Sequence, residues 1–273
     1  MRKVSRRAAV IGAGICGLNC ARHLDLAGWA VDVFEKSRGL GGRLSAKRID
    51  GLGSVDLGAQ FMTAQSPEFR ALIQAEAKVG RVIPWQARIA YVGSRGIEPA
   101  TAQERWIGVP GMNAWLDSVW PRSNVAFDAP IKKLRHSAEG TWQLDDRPEA
   151  YDCVILAVPP SQAAALAAGT ELEPSLNKVA MNPCWAALAL FEAPINPGFD
   201  AAFVRVGGLD WVAANHCKPG RTTHPAAWTL HAGPQLSRQI LELPETEVAP
   251  HLLEALATAL GSDLPKVRIA LTH

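Results

Sequence analysis

The sequence predicts an α/β chain, α+β overall: a Rossmann-type dinucleotide-binding domain with a parallel sheet and β-meander, interleaved with a substrate domain of mixed or antiparallel sheet. Three observations carry this. The run A-A-V-I-G-A-G-I-C-G from Ala8 to Gly17 sets Gly12, Gly14 and Gly17 in G-x-G-x-x-G spacing. A helix-period pattern follows, then the strand V-D-V-F-E, which ends on Glu35. After Thr170, strand-like pieces alternate with turns, as antiparallel sheet does.

The elements read in order. Ala8 to Gly12 is a short apolar run, a buried parallel strand. Ile15, Leu18, Ala21 and Leu24 recur at helical spacing, and Gly28 is placed to stop that helix. Ala30 to Glu35 completes a βαβ unit. A Gly- and Arg-rich loop covers residues 36–53, and Val55 to Met62 reads as strand and turn. Ser66-Pro67-Glu68 starts a helix that Gly80 ends. Arg81 to Ile107 reads as irregular β structure. Met112, Trp115, Leu116 and Val119 predict a helix stopped by Pro121, and a strand near Val125 to Phe127 comes next. A hairpin turns at Glu139-Gly140, and Cys153 to Val158 is a second apolar strand. Ser161 is placed to cap an Ala-rich helix. The clearest later strands are Trp185 to Phe191, Asp210 to Ala214 and Ala227 to Ala232. A final helix carries Leu252, Leu253, Leu256 and Leu260, with Pro250 restricting its start and Gly261 its end.

Bulk composition narrows the function. With 48% hydrophobic and 20% charged residues the chain can pack a core, so disorder is not its main state. A formal net charge of +2 gives no electrostatic argument for nucleic acid or a membrane surface. No apolar run reaches the ~20 residues a membrane span needs. Five cysteines at irregular spacing fit reduced thiols in a cytoplasm, and none has zinc spacing, so no metal is expected. The basic start M-R-K-V-S-R-R runs straight into the glycine loop and is not read as a signal peptide.

The glycines have distinct jobs. Gly12 permits the tight turn, Gly14 lets backbone approach a pyrophosphate, and Gly17 lets helix and strand pack closely. The helix N-terminus then faces the phosphates. Glu35 accepts from ribose hydroxyls and disfavours a 2′-phosphate. R-G-L-G-G-R from Arg38 to Arg43 adds a second close backbone approach and a guanidinium suited to pyrophosphate. The two runs together point to FAD rather than NAD. The expected cofactor contacts are Gly12, Ala13, Gly14, Ile15, Cys16, Gly17, Glu35, Lys36, Gly42, Arg43 and Gln60. The last lies in D-L-G-A-Q, read as returning the chain beneath the flavin.

With these motifs the sequence resembles the flavin-containing amine oxidase superfamily, and more narrowly its bacterial renalase group. The glycine loop, Glu35 and the G-G-R ending at Arg43 carry the broad resemblance. The narrow one rests on D-L-G-A-Q-F-M-T (Asp56–Thr63), W-I-G-V-P-G-M-N (Trp106–Asn113), V-I-L-A-V-P-P (Val154–Pro160), N-P-C-W-A-A-L (Asn182–Leu188), W-V-A-A-N-H-C-K-P-G-R (Trp211–Arg221) and W-T-L-H-A (Trp228–Ala232). The resemblance implies a two-domain FAD oxidoreductase, with substrate between the flavin face and a β-sheet of the second domain. It also implies oxidation of dihydronicotinamide isomers carrying hydride at the wrong ring position, with O2 as acceptor and H2O2 as product. Relatives of this group continue past the position of His273, so the resemblance implies a missing last fifth and an open sheet edge. The expected segments are 1–75 and 109–161 for the FAD domain and 76–108 and 162–268 for the substrate domain. Residues 269–273 would begin a third, missing, FAD-domain segment.

The expected substrate pocket is His231, Trp185, Trp211 and Asn215. Trp185, Trp211 and Trp228 lie on strands and suit either a wall for a flat aromatic substrate or plain core packing. His231 reads as a donor to a carboxamide, a tuner of the flavin face, or an ordinary satisfied histidine. Lys218 and Arg221, at a Pro-Gly turn, suit a substrate's phosphates or a solvated turn. The chain has no G-x-S-x-G elbow and no H-E-x-x-H, and no lysine can be assigned to the flavin-adjacent position of amine-type members. Two alternatives stand beside the first reading: a related flavoenzyme acting on an amine or polyene, and a non-catalytic remnant that binds a nucleotide.

Overall fold

The computed structural model describes residues 6–51, 53–221 and 226–273; Met1 to Ser5 of the basic N-terminal stretch lie outside them. Residues up to 44 together with 115–181 form one compact unit, and 45–114 with 182–273 form another.

The first unit opens with β1 (Arg7–Ile11), α1 (Ile15–Leu26) and β2 (Ala30–Phe34). The helix stops where Gly28 takes φ +83°, a conformation that side-chain-bearing residues avoid. The chain then crosses to the second unit through β3 (Ala46–Ile49), β4 (Gly53–Asp56), α2 (Pro67–Lys78), β5 (Val82–Pro84), β6 (Ile89–Gly93), β7 (Gly96–Pro99) and β8 (Trp106–Gly108). The predicted cap of α2 is in place: the Ser66 hydroxyl accepts from the Phe69 N–H at 3.2 Å. The first unit resumes with α3 (Leu116–Val119), β9 (Val125–Ala126), β10 (Leu134–His136), β11 (Trp142–Leu144), β12 (Ala150–Tyr151), β13 (Cys153–Leu156), α4 (Pro160–Leu166) and α5 (Glu173–Leu176). The second is completed by β14 (Ala186–Phe191), β15 (Ala201–Val204), β16 (Leu209–Ala214), β17 (Ala227–Ala232), α6 (Pro234–Gln239), α7 (Glu245–Leu260) and β18 (Val267–Thr272).

The fold class is as predicted. In the first unit a parallel sheet runs β13-β1-β2-β9, beside an antiparallel meander β10-β11-β12. Alternation along β1 sends Ala9 and Ile11 into a core with Phe34, Leu144 and Tyr151. In the second unit a seven-stranded sheet runs β18-β14-β17-β16-β15-β6-β7. Its pairs are antiparallel except for β15 with β6. Val248, Leu252 and Leu256 of α7 pack with Leu188, Leu190, Val212 and Leu230. Such aliphatic side chains each contribute on the order of 1.5–3 kcal/mol when buried.

Several elements differ from expectation. The helix predicted over Met112 to Val119 is only α3, because Met112 gives its N–H to the Asp56 carboxylate and Ala114 turns back onto the Gly111 carbonyl. Ser161 does not cap α4; Pro159 and Pro160 fix the entry instead, with no side-chain cap. Helix α7 begins five residues before Pro250 and runs through it. The carbonyl that Pro250 leaves without a donor belongs to exposed Thr246, where water can serve it. The compact units also divide the chain differently from the expected segments. Residues 45–75 fall in the second unit, where Val55 and Leu57 join the main core. Residues 162–181 fall in the first, and residues 269–272 belong to β18 at the sheet's edge.

Candidate functional site

In the first unit the two glycine runs meet. The Gly41 N–H donates to the Ala13 carbonyl at 3.0 Å, and Gly14 pairs with Gly41 as a parallel bridge. A Cβ on Gly17 would lie 1.9 Å from the Gly12 carbonyl oxygen, and one on Gly12 (φ +105°) 2.6 Å from that of Ala157. A Cβ on Gly14 would meet only the Gly41 oxygen, at 3.8 Å, so this approach stays open. Gly14 is also the N-cap of α1, with no side-chain cap and no acid in the first turn. The helix thus offers uncapped amides and its positive dipole end beside a glycine-only floor, which fits a diphosphate. The buried Glu35 carboxylate accepts from the Ala13 N–H at 2.8 Å on one oxygen, and from the Ser37 N–H and hydroxyl at 2.9 and 2.8 Å on the other. It ties loop to strand end, and Oε2, with one donor, keeps a second acceptor site. Ile15 is half-buried and Cys16 exposed in the first turn of the helix. Lys36 and Arg43 are also exposed, with Lys36 Nζ 3.4 Å from Gln162 Oε1.

The second unit holds a buried polar cluster. Asp56 Oδ2 receives Lys218 Nζ at 3.1 Å and Arg221 Nη2 at 2.7 Å, while Oδ1 receives the Met112 N–H at 3.0 Å. All three side chains are completely buried. Burial alone would raise the Asp56 carboxyl, but the two cations outweigh it and hold it below the usual range. Burial pulls the Lys218 ammonium down, with Asp56 opposing. Lys218 also donates to Gln60 Oε1 at 2.9 Å, and the Gln60 amide donates to the Asp56 and Gly58 carbonyls. Asn215 donates to the Ser54 carbonyl at 3.2 Å, clamping β4.

A profile of the NAD(P)-binding Rossmann-like domain matches residues 10–75. That of the flavin-containing amine oxidoreductase family matches residues 98–273, well over half of the chain. The chain belongs to the flavin-containing amine oxidoreductase family. FAD is its cofactor. A 53-residue stretch is 47% identical to a zeta-carotene-forming phytoene desaturase of Myxococcus xanthus, covering 19% of this chain and 10% of that protein. Another, of 70 residues, is 37% identical to a putrescine oxidase of Kocuria rosea, covering 26% and 14%. The matched stretches thus span a small part of these relatives. A solved putrescine oxidase with putrescine bound shares the fold at TM-score 0.72 and 16% identity, covering 98% of this chain and 84% of that one.

The pocket residues expected in this flavin-family chain divide between the two faces of the seven-stranded sheet. Register places Tyr91, Phe203, Trp211 and His231 as successive partners across β6, β15, β16 and β17, hence on one face. Trp228 points the other way and packs edge-on against Phe199 at 6.1 Å. Trp185 turns its Nε1 to the Ile240 carbonyl at 3.2 Å, away from Trp211. The structure therefore keeps Trp211 with His231 and, by strand alternation, sends Trp228 into the core on the other face, while Trp185, half-buried just before β14, packs against that core. His231 donates from Nε2 to the Leu57 carbonyl at 2.7 Å; a carbonyl only accepts, so this nitrogen carries the proton. Burial lowers the His231 pKa, with the bond to Leu57 opposing and nearby Lys218 adding to the shift. Lys218 and Arg221 are not solvated cations awaiting phosphate; they are committed to Asp56. Sequence reasoning missed that ion cluster because its partners lie more than 160 residues apart.

Proposed function

We propose that this chain is an FAD-dependent oxidase of a small molecule. The observation that carries the reading is the paired glycine loop closed by Glu35 at the end of β2. The amides of residues 14–17 would hold the pyrophosphate, with Gly42 approaching by backbone and Lys36 and Arg43 adding charge. Glu35 would take the ribose hydroxyls. Bound FAD supplies a hydride acceptor, and O2 reoxidation yields H2O2.

The finer reading is a dihydronicotinamide-type substrate, as in renalase. Its ring aromatises on losing hydride and needs no base. That suits a cluster in which the Asp56 carboxylate is neutralised by two cations and His231 spends its proton on Leu57. A second reading, oxidation of an amine, is favoured by the stretch similar to the Kocuria rosea putrescine oxidase. Anaerobic mixing of the flavin-loaded protein with each substrate type separates them. Bleaching of the visible flavin band by misplaced-hydride dihydronicotinamides is expected; bleaching by amines alone establishes the second reading.

Glu35→Ala is expected to weaken FAD binding about tenfold, the loss of roughly one charge-assisted hydrogen bond. Titration of flavin-stripped protein checks this. The hydride step at saturating FAD stays unchanged, and unaltered affinity places the ribose elsewhere.

A further inference from the structure

Arg105 is a buried cation without a counter-ion. It is 7% exposed, and among the described residues no carboxylate lies within ion-pair distance of it. Its Nη1 donates to the Gln103 carbonyl at 3.1 Å, and its buried Nε has no acceptor among the described residues. The Trp85 N–H holds the Arg105 carbonyl at 2.8 Å, so the backbone is pinned where the side chain leaves it. A buried guanidinium in this state is costly unless an anion completes it.

Its surroundings say which anion. The guanidinium carbon sits 5.2 Å from the Phe61 ring centre. Phe61 lies 5.4 Å from Trp211, 6.3 Å from Trp85 and 6.4 Å from Phe203. Trp211 is 6% exposed, and its indole Nε1 is a second buried donor with no acceptor among the described residues. Phe61 and Phe203 keep part of their rings exposed, so the patch is reachable. Lys218 Nζ stands 5.4 Å from the Trp85 ring, on the same aromatic group. Flat rings offer stacking surface, and two orphaned donors, one of them the Arg105 cation, select a ligand that brings acceptors. The same cation opposes a polyamine.

We propose that Arg105 and Trp211 form an anion-recognising subsite on an aromatic wall, and that the substrate is a planar ring compound bearing a carboxylate or phosphate. This deepens the oxidase reading by naming its substrate class, and rests on that reading for the word substrate.

The test uses intrinsic tryptophan fluorescence, which needs no turnover. Nicotinamide mononucleotide is compared with nicotinamide riboside, and benzoate with benzamide; each pair differs in the anionic group. Putrescine is the cationic control. Wild-type protein is expected to bind at least one member bearing the anionic group about tenfold or more tighter than its partner without that group, and putrescine not at all. The mononucleotide arm reports phosphate and the benzoate arm carboxylate. Arg105→Gln abolishes the preference, and Arg105→Lys keeps part of it. Equal binding of both members of both pairs by wild type overturns the proposal even if Arg105→Gln does not fold, as does an unchanged preference in that variant. FAD uptake is measured separately. A flavin-free protein that still shows the Arg105-dependent preference removes the oxidase reading alone; a yellow protein without the preference removes the subsite alone.

Discussion

Asp56→Asn is expected to destabilise the second unit by about 3–5 kcal/mol, the usual cost of removing one partner from a buried ion cluster. The carboxylate receives Lys218, Arg221 and the Met112 N–H, and all three charged side chains are shut off from water. The amide keeps the shape and loses the charge, leaving two cations buried together. A smaller loss is expected for the double variant Asp56→Asn/Lys218→Met, which removes one of them. Urea unfolding of the three proteins measures both effects, and an Asp56→Asn midpoint equal to wild type contradicts the assignment. The pH dependence follows the same charge. The folded pKa of Asp56 is depressed. Its stabilisation is therefore fully present above the unfolded carboxyl value of about 3.9, and is lost as pH falls through the lower folded value. Wild type should lose this part of its stability in acid below about pH 4, and Asp56→Asn should not.

Gly17→Ala is expected to weaken FAD binding by one to two orders of magnitude. The added Cβ would stand 1.9 Å from the Gly12 carbonyl oxygen, a backbone atom that moves only with the whole loop. Overpacking of this kind costs about 1–3 kcal/mol, more than the roughly 1 kcal/mol that alanine's helix preference returns. Gly14→Ala gives the contrasting result. Its Cβ meets protein only at 3.8 Å, so thermal stability should hold while the methyl group intrudes where a pyrophosphate would lie. Melting curves and FAD titrations of both variants separate packing from ligand approach. Equal FAD affinity in Gly14→Ala and wild type contradicts the placement of the diphosphate.

Much of this was legible in the chain because the signals are local. Gly12, Gly14, Gly17 and Glu35 sit within one βαβ unit, and turn geometry dictates their spacing. Ser66 with Pro67, Gly28 and Gly261 mark helix ends by rules that act over a few residues. Other features depended on distant partners. The role of Lys218 is set by Asp56, and the isolation of Arg105 by the lack, among the described residues, of a carboxylate within ion-pair distance, which no local pattern reports. The division of Trp185, Trp211 and Trp228 between the two sheet faces follows from strand register. A strand's limits must be known to a single residue before parity can be read, and a bulge between Leu209 and Trp211 shifts it again.

We propose that the loop from Gly12 to Gly17, closed by Glu35 and Gly41, holds FAD. Flavin-stripped protein mixed with FAD and passed through gel filtration tests it directly. One FAD is expected to travel with each chain, with its visible band, and that band is expected to be lost in Gly14→Ala. Folded wild-type protein that emerges colourless at every FAD concentration contradicts it.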